Sequence, residues 1–385
     1  MIRDLILLAV ALFTWGVAES MFLFFQPIYL KELGADPIRI GVILGGFGLM
    51  MISSHIPAGY LADRVGRKPV IVSAWVMGLV TAWIMALADS LPVFIIGMFL
   101  YGLTMFVISP LNSYVTAARG KLSVGRAITL ISASYNLGAV IGPLLGGRVG
   151  EQFGLRQNYI FAGFLIMVST LVVLFLRPQP VERVSHADTS NGWLRTSPYW
   201  YYVGAIFLAA FAMYLAQPLA PNYLAEQRSL SLEQIGLLYS ATSLGVVLLN
   251  LILGSFPART GFLIGQAAVG VYALILWQAV GLPWYILGFL LLGGYKAARN
   301  LGIAQVRELV PQAKIGFAYG LTETVSGTAT VLAPLLAGYL YTQQPTWMFA
   351  LSAGLIGISL LVSARFSPAQ QTTPEQISSV SSTPT

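Results

Sequence analysis

Four ionisable side chains stand inside long apolar runs of this sequence: Glu19, Lys296, Arg299 and Glu323. A charge held in apolar surroundings costs several kcal/mol unless it is paired, hydrated or neutralised, so each implies chemistry. Glu19 shares a helical face with Trp15, Phe22 and Gln26, an aromatic-and-amide stripe that suits a cavity wall. Desolvation disfavours the ionised carboxyl, which makes Glu19 a candidate proton carrier; a snorkelling or amide-bonded structural acid is the alternative. Lys296 and Arg299, in YKAARN, are three residues apart, and Glu323, in YGLTETVSGT, has Tyr319, Ser326 and Thr330 on its face. At 1.5 Å rise per residue, Arg299, Lys296 and Glu323 lie about 8, 12 and 10 Å from the nearer ends of their runs. Matched depths point to an ion pair. It is either a structural strut or a working cluster, in which Glu323 titrates or the surplus base binds an anionic substrate. His55 could titrate or simply pack. Asn112, Asn136, Tyr214, Gln217, Asn222 and Asn250 are candidate cavity-lining residues, with helix-to-helix hydrogen bonding as the competing role.

These residues must be positioned by helices in lipid. The chain has 385 residues, 57% hydrophobic and only 9% charged, with mean hydropathy +0.77. An average soluble domain carries about 25% charged residues. The net charge of +7 is consistent with basic residues marking one membrane face, and no nucleic-acid partner is expected. No cysteine and only two histidines are present, which excludes disulfides, thiol catalysis and a histidine-rich metal cluster. The opening run, MIRDLILLAVALFTW, extends to Tyr29 without a small-residue cleavage site, and is read as a retained first helix. Twelve spans are expected, near 5–29, 38–62, 70–88, 91–116, 127–149, 156–176, 199–223, 235–257, 263–281, 283–304, 316–340 and 346–364. Each must be helical, because lipid leaves no other partner for backbone polar groups.

The polar stretch RPQPVERVSHADTSNGWLRTS and the Ser/Thr/Pro/Gln-rich end divide the chain. The expected organisation is a six-helix bundle over 1–176, a linker over 177–198, a second bundle over 199–365 and a disordered tail over 366–385. The halves echo each other. PIYLKELGADPIRIG (Pro27–Gly41) matches PNYLAEQRSLSLEQIG (Pro221–Gly236), GYLADRVGR (Gly59–Arg67) matches GSFPARTGF (Gly254–Phe262), and GPLLGG (Gly142–Gly147) matches APLLAG (Ala333–Gly338). A duplicated six-helix unit is the simplest account. With the N-terminus inside, fourteen of the 21 Lys and Arg residues fall on the cytoplasmic side, against Lys31, Arg39, Arg148, Arg156 and Arg228 outside. Both termini are therefore expected in the cytoplasm.

The turn between spans two and three, GYLADRVGRKPV, concentrates charge in a chain that otherwise avoids it. Arg64, Arg67 and Lys68 suit the anionic cytoplasmic surface, Gly66 suits a helix end, and Pro69 a helix start. Gly59-x-Leu61-x-Asp63-Arg64-x-Gly66-Arg67-Lys68 resembles the signature loop of the major facilitator superfamily of secondary transporters. The resemblance implies that Asp63 latches the outward-open state by contacting the cytoplasmic start of helix eleven, near Gly316. A plain topology anchor would explain the three bases but neither Asp63 nor the glycines. NLGAVIGPLLGG resembles the glycine-proline motif of the family's antiporter branch through Gly138, Gly142, Pro143, Gly146 and Gly147, although Thr129 replaces its upstream glycine. Small-residue packing is the competing explanation for it. Met98 stands four residues before Gly102, where drug–proton antiporters of the family often carry an arginine, so a relay built on that arginine is not expected.

The expected protein is thus an all-α membrane protein, with twelve transmembrane helices in two pseudo-symmetric six-helix bundles. It would act as a monomer in the cell membrane, without metal or cofactor. Its expected work is alternating access, with proton-coupled efflux of an amphipathic or drug-like small molecule. Uptake or exchange of an anionic metabolite, lipid flipping, and a non-transporting sensor or scaffold are the alternatives. No nucleotide-binding GxxxxGK[ST] pattern and no GxSxG pattern occurs, and no enzyme is expected.

Overall fold

The computed structural model describes residues 2–179, 197–311 and 315–368, and gives only the backbone of Ile2, 55–65, Ser197 and Gly316. The first half contains α1 (Ile2–Leu23), α2 (Gln26–Glu32), α3 (Pro37–Val65), α4 (Arg67–Leu87), α5 (Leu91–Leu103), α6 (Ile108–Ala118), α7 (Val124–Phe153) and α8 (Leu155–Leu174). The second contains α9 (Ser197–Leu215), α10 (Ala220–Gln227), α11 (Leu232–Gly254), α12 (Ala258–Gln278), α13 (Leu282–Leu292), α14 (Gly294–Ala304), α15 (Ile315–Gln343) and α16 (Trp347–Phe366). No strand occurs among the described residues. The pairs α1–α2, α5–α6, α9–α10 and α13–α14 each make one crossing, so the sixteen helices make twelve. Ten crossings are long and apolar enough to span a bilayer on composition alone. Of the other two, 282–304 is broken at Gly293 into two eleven-residue helices and carries Lys296 and Arg299, and Ile315–Gln343 carries Glu323 among several Thr, Ser and Gly residues. Most of the expected linker and tail lies outside the described residues.

Four crossings expected as single helices are broken, and the breaks repeat between the halves. Crossings one and seven break at 24–25 and 216–219, just before α2 and α10. Pro27 and Pro221 occupy the first turns of those short helices, where a missing N–H is harmless. Crossing four passes through a 3-10 turn at Thr104–Val107, and crossing ten turns at Gly293. A Cβ on Gly293 would strike the backbone of Gly245 and Val246, so glycine there lets α11 come close. Each half therefore carries the same two discontinuities, as a duplicated unit requires.

Within each half, buried hydroxyls and amides join helices that lipid alone would not press together. Trp75 Nε1 donates to Ser169 Oγ at 2.8 Å, and Ser169 donates to the Ala11 carbonyl at 2.7 Å. In the second half Ser359 donates to Gln266 Oε1 at 2.8 Å, and Ser352 to the Ala212 carbonyl at 2.7 Å. Large apolar side chains such as Leu251, Val280 and Leu361, 69–74% exposed, cover the outside, where lipid replaces water as their solvent.

The halves meet through α3 with α15 and α7 with α11. Here the sequence echoes pack on one another. A Cβ on Gly41 would strike Pro334 and Gly338, and a Cβ on Gly236 would strike Pro143 and Gly147. Each crossing thus sets the glycine of one repeated segment against the proline-glycine pair of the other. Both crossings lie at the end opposite the termini. At this end Lys31 Nζ also pairs with Glu226 Oε1 at 2.8 Å, Asn222 Nδ2 donates to the Pro27 carbonyl at 3.1 Å, and the Leu232 N–H donates to Glu151 Oε2 at 2.7 Å. Phe24 stacks on Tyr239, ring centroids 4.4 Å apart. Toward the termini the halves part. The terminus-side half of α7 exposes Thr129, Ser132 and Ala133, whereas Gly138, Gly142, Pro143, Gly146 and Gly147 at its other end are buried.

A side chain at Gly236 must spread this contact. Gly236→Leu should cost about 1–3 kcal/mol of stability through overpacking. In this naturally cysteine-free chain, a cysteine placed at the buried Ser240 should resist a polar maleimide, and Gly236→Leu should make it react. Unchanged protection would show that the crossing tolerates the side chain.

Candidate functional site

Glu19 lies in the last third of α1, is 5% exposed, and is held by two tyrosines. Tyr101 Oη, from α5, donates to Oε1 at 3.0 Å, and Tyr135 Oη, from α7, donates to Oε2 at 2.7 Å. Each carboxylate oxygen therefore has a phenol donor, the arrangement that makes a buried acid tolerable. Trp15 lies nearly parallel to Tyr101 with centroids 6.1 Å apart and also contacts Trp75 at 5.1 Å. Phe22 meets Tyr101 edge-on at 5.5 Å and Tyr159 at 5.0 Å. The stripe expected as a cavity wall is thus not one in this conformation. Trp15, Phe22 and Gln26 are 8%, 1% and 1% exposed, and Trp15 and Phe22 pack on Tyr101, one of the two tyrosines that hold Glu19. Aromatic contacts among α1, α4, α5 and α8 outcompete exposure along that face.

The second half supplies the opposing charges. Arg299 of α14 forms an ion pair with Glu323 of α15. Both side chains remain accessible, 36% and 46% exposed. Lys296 is accessible yet ringed by protein atoms, and its charge acts on Glu19 and Arg299. Since Glu19 belongs to the first half, Lys296 faces the seam, where water can follow the parted helices. Lys296 has no hydrogen bond or ion pair among the described residues. Tyr295 tilts against Tyr214 of α9, centroids 6.0 Å apart. The cleft therefore presents an ion pair nearer its open end, a single ammonium further in, and a phenol-bound carboxyl at its depth.

The remaining expected polar residues divide. Tyr214 and Asn136 are half-buried and Asn112 is exposed. Gln217 Nε2 and Asn250 Nδ2 donate to their own helices, to Met213 O at 2.8 Å and Val246 O at 2.7 Å. Asn222 joins the halves and lines no open space. The side chain of His55 lies outside the described residues. Tyr101 and Tyr135 were missed by sequence reasoning. Their signal was available: Tyr101 sits in MFLYG and Tyr135 precedes Asn136, both in apolar runs that a buried acid could borrow donors from.

The profile of the Major Facilitator Superfamily matches residues 8–203 and again 202–384. The chain belongs to the Major Facilitator Superfamily. It is 26% identical to the multidrug resistance protein MdtG of Citrobacter koseri over 75% of this chain and 76% of that one. It is 25% identical to the enterobactin exporter EntS of Shigella flexneri over 87% and 85%. The chain spans only 38% and 54% of the length of the first two curated relatives it matches. Among solved structures, a point mutant of the nucleoside transporter NupG superposes with TM-score 0.84 at 15% identity, over 95% of this chain and 100% of that one, which shows the shared fold.

The superfamily motifs occupy distinct places in that fold. Gly138, Gly142 and Gly146 pack on the α1 backbone near Phe13, Val17 and Met21, while Pro143 and Gly147 face α11. Gly66 adopts φ +89° between α3 and α4, a region that favours glycine, and Arg67 donates to Gln179 Oε1 at 3.2 Å. Lys68 is half-buried. The side chains of Asp63 and Arg64, and anything at Gly59 or Gly316 beyond the backbone, lie outside the described residues. Met98 is fully buried, one helical turn before the tyrosine that binds Glu19.

Tyr135→Phe deletes one donor and leaves Glu19 Oε2 short of its bond. It should lower stability in detergent by about 1–3 kcal/mol. In a Glu19→Gln background the same change should cost clearly less, because the carboxylate that needs the donor is gone. Equal losses in both backgrounds, read from chemical unfolding, would mean the hydroxyl serves another partner.

Proposed function

We propose that this superfamily member is a secondary transporter that exports a small amphipathic or drug-like molecule in exchange for protons. The observation that carries this reading is the placement of Glu19. A carboxyl with phenol donors on both oxygens sits at the depth of a cleft between two repeated bundles and is coupled electrostatically to a lysine of the opposite bundle. Protonation removes the attraction between Glu19 and Lys296, so proton binding changes how strongly the bundles hold together at this seam. Rocking about the glycine-proline crossings would then expose Glu19 to the other side. Export as the direction follows the enterobactin exporter EntS, and a drug-like cargo the multidrug resistance protein MdtG, both similar to this chain over most of its length.

On this reading the bundles correspond to 1–176 and 199–365, joined by the 177–198 linker, with the termini and the tail at 366–385 in the cytoplasm. The open cleft therefore faces the cytoplasm. Glu323 is the second coupling candidate, paired with Arg299 near the mouth of the cleft. Asp63, with Gly59, Arg64, Gly66, Arg67 and Lys68 around it, would latch the opposite state. The protein would work as a monomer, with lipid and protons as its other partners.

Proteoliposomes loaded with a pH-sensitive dye test the coupling directly. Drug addition should drive proton movement in the native protein. Glu19→Gln should reduce concentrative drug transport at least tenfold while leaving downhill drug flux measurable. Coupled proton movement that persists in the Glu19→Gln, Glu323→Gln double variant would remove both coupling assignments. No flux of any compound would turn the reading toward a sensor or scaffold.

A further inference from the structure

We infer that the transported molecule carries an anionic group, such as a carboxylate beside an aromatic ring, and that Lys296 binds it inside the cleft. This deepens the export reading and rests on its assignment of the cleft as the substrate path.

Four ionisable groups face the seam, and three of them are already satisfied. Arg299 is neutralised by Glu323. Glu19 accepts from Tyr101 and Tyr135. Lys296 alone has no hydrogen-bond or ion-pair partner among the described residues, although it is accessible and enclosed by protein. Its charge acts on Glu19, but the carboxylate's oxygens are taken by phenols and no ion pair closes between them. An ammonium with three free donors at bilayer depth needs an acceptor, and only solvent or a bound solute remains to supply one. Aromatic surface is present along the same cleft. Tyr295 precedes Lys296 and meets Tyr214, and neither of these phenols makes a protein hydrogen bond among the described residues. Arg299, whose charge acts on both Lys296 and Tyr295, links the ammonium to this aromatic pair. The result is a set of donors and ring faces without a matching acceptor, complementary to an aromatic anion. A cationic drug would instead meet an unpaired like charge, which works against it.

The test uses full-length protein in detergent and three probes of one shape: 2-naphthoate, the neutral 2-naphthamide, and the cationic 2-naphthylmethyl-trimethylammonium. Calorimetry should show naphthoate binding at least tenfold more tightly than naphthamide. Lys296→Gln should remove that preference while keeping naphthamide binding, which proves the variant folded, and Lys296→Arg should preserve it. Absence of naphthoate binding to the native protein, unchanged naphthoate affinity in Lys296→Gln, or tighter binding of the cation would each overturn the inference. Counterflow of the probes in proteoliposomes separates the two readings. Flux of the cation with Lys296-independent naphthoate binding removes the anion site and leaves transport standing. Lys296-dependent binding with no flux of any probe removes transport and leaves the site.

Discussion

The structure hangs on two crossings where backbone touches backbone across the two halves. Between lipid-exposed helices there is no hydrophobic force to speak of, because lipid tails satisfy apolar side chains as well as protein does. Association must come from close packing, and the closest packing requires residues without a side chain. Gly41 against Pro334 and Gly338, and Gly236 against Pro143 and Gly147, meet that requirement twice through duplicated segments. The Lys31–Glu226 pair, the Asn222–Pro27 bond and the Glu151 cap on α11 then close the same end. Because all of these lie away from the termini, the opposite end is free to part.

That asymmetry decides where charge can reside. An ionised group in the first half's packed interior needs protein donors, and Glu19 has two phenols. Groups on the second half's inner face can rely on water that enters the cleft, which is why Arg299 and Glu323 remain accessible although paired. Exposed ion pairs contribute little stability, about 0–1 kcal/mol, so this pair is poorly explained as a strut alone. The chain thus separates its charges by solvent: a dry acid held by phenols, a wet pair near the opening, and an unpaired lysine between them.

Much of this was legible in the sequence. The number of crossings, the six-plus-six division and the segments that form the inter-half contacts follow from apolar run length and internal repetition. The matched depths of Arg299 and Glu323 anticipated their pairing, because rise per residue fixes depth once a helix is assumed. What escaped were features set by neighbours distant in sequence. Nothing local announces that Tyr101 and Tyr135 converge on Glu19 from two other helices. The stripe of Trp15, Phe22 and Gln26 carried the periodicity of a face but not which surface that face meets, and it meets the aromatic interior. Breaks at 24–25, 216–219 and Gly293 also escaped, since apolar runs continue through them. Pro27 and Pro221 were visible, yet a proline alone does not tell a kink from a helix start.

The central claim is that two repeated bundles exchange which end of the cleft is open, with the glycine-proline crossings as the closed side seen here. Pulsed electron–electron distance measurements between spin labels on opposite halves test it most directly, with one pair at Val124 and Phe256 on the terminus side and another at Phe153 and Val280 on the far side, all exposed positions. Moving the protein through the pH range in which Glu19 exchanges its proton should shorten the first distance while lengthening the second. Two distances that stay fixed, or that change in the same direction, would contradict the account.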